Sequence, residues 1–158
     1  MTRWQEFVEA EGDFAADVQR VFDDQKHETI ATLRRDGSPR LSGLEVGFAG
    51  GDVTFGMMPR SRKVADLRRD PRTEVHAASP IAEGDVTSWA GDARISGRAR
   101  EVVDPEERAR YTDTPASAYP LFVLDVERVV RIVLEGTPPR LIVRTWRPGR
   151  PVERAVAD

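Results

Sequence analysis

The 158-residue sequence predicts a mainly β protein, an antiparallel barrel that is closed or nearly closed, with short helices added. Three observations predict it. Apolar and polar residues alternate with period two in six or seven separate segments. The first three segments form a meander joined by the turn signals Asp36-Gly37 and Gly50-Gly51. Helical periodicity is confined to the N-terminus and two short inserts. Composition alone leaves a β-sandwich open as the alternative.

The elements follow in order. Trp4, Phe7, Phe14, Val18, Val21 and Phe22 recur at near-helical spacing, giving one amphipathic helix interrupted near Gly12 or two short ones. Thr29 to Arg35 is rich in β-formers, and Arg40 to Phe48 is its return strand. Val53, Phe55 and Met57 alternate with Thr54, Gly56 and Met58 in a third strand. A short helix begins near Ser61, with Val64 and Leu67 inward, and stops by Asp70 because Pro71 disfavours helix before it. Thr73 to Ala78 is a fourth strand, Pro80 to Ala90 a loop containing Gly84 and Trp89, and Ala93 to Val103 a fifth strand. Asp104-Pro105-Glu106-Glu107 starts a helix with a cap, a proline and two acids at its positive end. Leu121 to Val126 and Val129 to Leu134 form one long strand or two broken ones, and Leu141 to Trp146 the last. The expected organisation is a helical segment at 1–26, a barrel over 27–150 and an irregular tail at 151–158, all within one domain.

Several function classes drop out. A net charge of −3 and a pI near 5.5 argue against a general nucleic-acid binder. There is no cysteine, so thiolate catalysis and cysteine-ligated metals are excluded. The N-terminus lacks the continuous apolar region of a secretory signal, and no run approaches the ~20 residues that span a bilayer. The expectation is a cytoplasmic protein with no membrane partner. There is no G-x-S-x-G elbow, and two isolated histidines, His27 and His76, make no metal-ligand pattern. Asp52, Asp66, Asp70 and Glu106-Glu107 read as turn, helix-end and ion-pair residues. The stripe Arg94, Ser96, Arg98 and Arg100 reads first as a solvated strand face, with an ion-paired interface or the binding of an acidic cofactor tail as the other readings.

The segment that carries chemistry is Gly56 to Pro71, GMMPRSRKVADLRRDP. Arg60, Ser61, Arg62 and Lys63 fall where its helix begins. Free N–H groups and the positive end of the helix dipole attract anions there. A hydroxyl, two guanidinium groups and an ammonium fit either a phosphate clamp or a solvated helix start whose arginines pair with nearby acids. Lys63 and Lys26 are the only lysines in the chain, so Lys63 is not the default surface cation. Gly56 allows a ligand to approach the backbone, while Met57 and Met58 read as ordinary core filling, Met57 above all, or as adaptable packing partners for a ligand.

The hairpin DGSPR (36–40), the strand end GMMP (56–59), the triplet SRK (61–63) and DLRRDPR (66–72) stand in a specific order. With GDARISGRA (91–99) and RTWRPG (144–149), they make residues 28–150 resemble the pyridoxamine 5′-phosphate oxidase-like split-barrel family, flavin- and deazaflavin-dependent oxidoreductases included. The resemblance implies a six-stranded antiparallel split β-barrel of the FMN-binding type. It implies a homodimer with a groove for the cofactor, FMN or a deazaflavin coenzyme of the 8-hydroxy-5-deazaflavin type, at the interface. The phosphate meets Ser61, Arg62 and Lys63, and the ring runs along Arg40, Leu41, Ser42 and Gly43 and along Gly56, Met57 and Met58. A C-terminal residue of the partner, Trp146 or Arg147, completes the pocket. Some relatives bind haem, which makes His76 a candidate axial ligand.

The implied activity is a flavin- or deazaflavin-dependent oxidoreductase acting on a small molecule, with no catalytic acid or base assigned because the cofactor carries the hydride chemistry. The alternative is a non-catalytic carrier or sensor of flavin, deazaflavin or haem. The tail RPGRPVERAVAD lacks the arginine- and histidine-bearing substrate motif of true pyridoxamine phosphate oxidases.

Overall fold

The computed structural model describes residues 1–79 and 88–157, so most of the loop expected at Pro80 to Ala90, Gly84 included, lies outside the described residues. Two helices open the chain, α1 (Trp4–Ala10) and α2 (Gly12–Asp23). Strands β1 (Glu28–Leu33), β2 (Pro39–Leu44), β3 (Gly47–Ala49) and β4 (Asp52–Gly56) follow, then α3 (Arg62–Arg69). Next come β5 (Arg72–Ala78), β6 (Asp92–Glu101) and the single turn α4 (Pro105–Arg108). Strands β7 (Leu121–Glu135), β8 (Arg140–Trp146) and β9 (Glu153–Ala157) complete the chain.

The ladder runs β2-β1-β5-β6-β7-β4-β3, every pairing antiparallel. Its two end strands, β2 and β3, are consecutive in the chain and separated only by Glu45 and Val46. The ring therefore closes through covalent continuity, and its hydrogen-bond ladder is split at that one point. Counting β2–β3 as one bent stave gives the six-stranded split barrel. The return strand expected as continuous from Arg40 to Phe48 is thus broken. Glu28 repairs the break: its buried carboxylate accepts the Val46 N–H at 3.1 Å. An orphaned N–H at the break is satisfied by a side chain from the neighbouring strand.

β7 is one continuous strand that pairs with β6 along most of its length, with β4 at its start and with β8 at its end. A bulge between Ser96 and Gly97 bends it around the barrel. Gly97 is required there, because a Cβ would lie 1.9 Å from the Asp125 carbonyl oxygen. Ile30, Val53, Phe55, Val75, Ile95 and Leu124 fill the interior. Helices α1 and α2 join this core through Trp4, Phe7, Phe14, Val18 and Phe22. Asp17 fixes α2 to the sheet by accepting from Arg131 of β7 at 3.0 Å and Arg144 of β8 at 2.9 Å.

Two expectations are corrected. The segment after Pro148 is not an irregular tail: residues 153–157 pair with β8 as β9, extending the sheet beyond the barrel. Trp146 does not face a partner. It is 3 % exposed and lies against Phe7, ring centroids 4.6 Å apart, because β8 turns that face toward the N-terminal helices. Arg147 is tied to Glu153 at 3.0 Å. No described helix is long and apolar enough to cross a membrane.

Candidate functional site

The chain leaves β4 at Gly56 and turns at Pro59, the Ser61 N–H donating to the Met58 carbonyl at 2.9 Å. Ser61 sits at the N-cap of α3 in an extended conformation, which presents the first N–H groups of the helix outward. Its hydroxyl makes no cap hydrogen bond, and its Oγ is shielded from solvent without a partner among the described residues. No acid occupies the first turn of α3. Arg60 and Arg62 are exposed and have no ion-pair or hydrogen-bond partner among the described residues. Lys63 is half-buried, donates to the Gly43 carbonyl at 2.5 Å, and has its pKa pushed down by burial. That hydrogen bond brings the start of α3 against the end of β2. The two segments expected to hold a phosphate and a ring are therefore neighbours.

α3 is held in place by Asp66. Its buried carboxylate accepts from Thr32 at 3.0 Å, Arg40 at 2.7 Å and Arg69 at 3.1 Å. Burial pushes the Asp66 carboxyl up, and the hydrogen bonds from Arg40, Arg69 and Thr32 more than offset this, holding it below its ordinary value. Val64 and Leu67 are buried beneath the helix, and Arg68 makes a fork-to-fork pair with Glu101, both contacts 2.7 Å. Arg40 uses Nε on Asp66, which leaves its terminal nitrogens without a partner among the described residues.

The other expected positions divide. Ser42 is half-buried, Leu41 is 72 % exposed, and nothing nearer than the Glu28 carbonyl at 3.9 Å approaches the Gly43 side-chain position. Met58 is 79 % exposed, whereas Met57 is buried in the core. At Gly56 the absent side chain makes room for Tyr119: a Cβ would lie 2.7 Å from its Cε2. The glycine expected to admit a ligand is needed by a protein side chain.

Tyr119 and Tyr111 were missed by sequence reasoning, as was Glu45. All three line a cleft of about 660 Å³ that begins at the β2–β3 break and reaches Met58 and Pro59. The tyrosines are the only two in the chain, in one short stretch after α4, and that coincidence was the available signal. Tyr119 donates to Thr112 at 3.2 Å, and Arg108 stacks on its ring at 4.8 Å. Tyr111 donates to buried Asp52 at 2.7 Å, and Asp52 also pairs with Arg3 at 3.0 Å. Burial, then the bond to Asp52, pushes the Tyr111 phenol up to about 12, so it is neutral at physiological pH.

The remaining candidates lie elsewhere. His76 is half-exposed on the outer face of β5, 3.2 Å from Asp92, beside a second cleft of about 350 Å³. His27 is exposed, 4.0 Å from Glu45. The arginine stripe of β6 is partly paired rather than merely solvated: Ser96 donates to Glu74, which also pairs with Arg128, and Arg100 pairs with Glu107. Among the described residues, no three acids or histidines gather as a metal site.

The sequence matches the pyridoxamine 5′-phosphate oxidase family over residues 14–132, most of the chain, from α2 through most of β7. The chain belongs to the pyridoxamine 5′-phosphate oxidase family. Solved structures agree on the fold. A pyridoxamine 5′-phosphate oxidase-related, FMN-binding protein from Nostoc punctiforme has 15 % identity and a TM-score of 0.63, covering 94 % of this chain and 96 % of that one. A haem-binding protein from Mycobacterium smegmatis has 22 % identity and a TM-score of 0.57, over 89 % of this chain. This chain spans only 56 % of the M. smegmatis protein. The haem storage protein HutZ from Vibrio cholerae has 13 % identity and a TM-score of 0.53, over 71 % of this chain and 89 % of that one. A comparison with curated proteins finds no match. This pyridoxamine 5′-phosphate oxidase family member thus shares its fold with both flavin-binding and haem-binding proteins.

Proposed function

We propose that the protein binds FMN or a deazaflavin and works as an oxidoreductase on a small molecule. The observation that carries this reading is the solvent-shielded, unpartnered Oγ of Ser61 at the start of α3, beside free Arg62 and desolvated Lys63. Such an orphaned donor beside cations that have no ion-pair partner among the described residues fits a phosphate. Ser61 donates its hydroxyl to the phosphate, Arg62 supplies a forked guanidinium, and Lys63 supplies charge while bridging to Gly43. Residues 40–43 and exposed Met58 flank the flat ring, Met58 as an adaptable cover, while Met57 backs the segment from the core and Tyr119 fills the space at Gly56. The bound flavin supplies the hydride chemistry. The chain's own part is to hold the phosphate, orient the ring and shape the 660 Å³ cleft where a substrate meets it. In this reading a second copy covers the exposed Leu41 side of the sheet, and the groove lies between the two.

A second reading is a non-catalytic carrier. Haem-binding and haem-storing proteins share the fold, and His76 stands half-exposed beside the 350 Å³ cleft. Titration of the purified protein with FMN, a deazaflavin and haemin separates the two. Saturable flavin binding followed by reduction of an acceptor supports the oxidoreductase. Flavin binding without turnover supports the carrier. A Soret band that His76→Ala abolishes, with no flavin binding, overturns the flavin reading.

A further inference from the structure

The 660 Å³ cleft has a charge pattern that points to its ligand. Its walls are apolar or neutral: Val46, Phe55, Met58 and Leu121, with Tyr111 and Tyr119 as flat faces. Tyr111 donates its hydroxyl to Asp52 and is a neutral phenol at physiological pH. Among the described lining residues, Glu45 is the only one charged at neutral pH. It sits at the β2–β3 break, where no ladder hydrogen bond constrains it, and its carboxylate is exposed at the mouth, with exposed His27 4.0 Å away. Arg108 does not line the cleft; its guanidinium stacks on Tyr119 and donates to the Thr114 and Tyr119 carbonyls. The cations Arg60 and Arg62 lie beyond Pro59, at the phosphate end of the groove.

We propose that the cleft takes flat, apolar molecules that are uncharged or cationic, and that Glu45 at its mouth turns away anionic ones, phosphate esters included. This rests on reading residues 40–43 and 56–63 as the cofactor groove, because the cofactor's phosphate then neutralises the basic end. A carboxylate a few ångströms from a ligand charge changes affinity by about five-fold in water, and by more where aromatic walls exclude solvent. A flat ligand gains most of its affinity from the two tyrosines and Met58, so charge sorts among molecules of one shape.

The test uses full-length protein saturated with FMN and three probes of one shape: 2-naphthylmethanol, 2-naphthylmethylamine and 2-naphthoate. At about pH 7 these are neutral, cationic and anionic. Calorimetric titration should rank the cation and the neutral probe at least about five-fold tighter than the anion. Glu45→Gln should tighten the anion by about that factor and leave the neutral probe unchanged, and Glu45→Lys should reverse the ranking. Ala118→Trp, which fills the cleft, should remove binding of all three. The proposal is overturned if 2-naphthoate binds the wild type as tightly as the alcohol, if Glu45→Gln moves all three probes alike, or if no probe binds. FMN titration of the same samples separates the failures. Normal FMN binding with lost discrimination sinks the selectivity alone, whereas wild type that binds no FMN sinks the cofactor reading.

Discussion

The Nε of Arg40 lies 2.7 Å from the Asp66 carboxylate, joining the second strand of the barrel to the helix that starts at Ser61. The same carboxylate takes hydrogen bonds from Thr32 and Arg69, so one buried acid ties α3 to β1 and β2. Sequence reading assigned Arg40 to the cofactor and Asp66 to ion pairing. The structure joins the two residues: Asp66 holds the Nε of Arg40, and only the terminal nitrogens of Arg40 have no partner among the described residues.

Asp66→Asn should destabilise the protein by about 2–4 kcal/mol at pH 7, since it leaves a mostly buried guanidinium without its counter-charge. The carboxyl is held below its ordinary 3.8, so its contribution is complete above that value and lost as pH falls through the lower folded value. Urea unfolding should therefore show the gap between variant and wild type narrowing below about pH 4. A gap that stays constant into acid would contradict this account of Asp66.

Glu28→Gln should act in the opposite direction. Burial pushes the Glu28 carboxyl above its ordinary 4.5, the bond from Val46 only partly countering it. The folded state thus prefers the protonated form, and the contribution is full below 4.5 and lost as pH rises through the raised folded value. Glutamine keeps an acceptor for Val46 and removes the buried charge. Stability at pH 7 should rise by about 0.5–1 kcal/mol, and the decline from mildly acidic to neutral pH should flatten. Denaturant midpoints measured across that range check both.

Gly56→Ala should cost about 1–3 kcal/mol, because the new methyl meets the Tyr119 ring 2.7–2.8 Å away. That ring cannot yield freely, being tethered to Thr112 and stacked under Arg108. The cost should largely disappear in the Tyr119→Ala background, which a double-mutant cycle reads directly. Full additivity would mean the methyl meets something other than Tyr119.

Much of the fold was legible because period two survives wherever a strand has one buried face. β1, β5 and β6 show that alternation and were located to within a residue or two at their starts. Periodicity is silent on what covers each face. Trp146 shares its strand's alternation whether it faces a partner or α1, and only the fold shows Phe7 against it. The break at Glu45–Val46 was hidden because its compensation comes from Glu28, on another strand. β9 was hidden because all five of its residues are exposed, so no apolar alternation marks it. At the site, the basic triplet was visible as a local run. The tyrosine wall was not, since residues 111 and 119 reach Gly56 and Met58 only through the tertiary fold.

The central claim is that Ser61, Arg62 and Lys63 hold the phosphate of a flavin, and FMN titration of wild type and Lys63→Ala tests it most directly. Removing one charged hydrogen-bonding partner of the phosphate removes about 1.5–3 kcal/mol of affinity. The account predicts saturable FMN binding by the wild type, weakened about ten- to a hundred-fold in a Lys63→Ala variant that unfolds at the wild-type temperature. Equal affinity in a folded Lys63→Ala protein would contradict it.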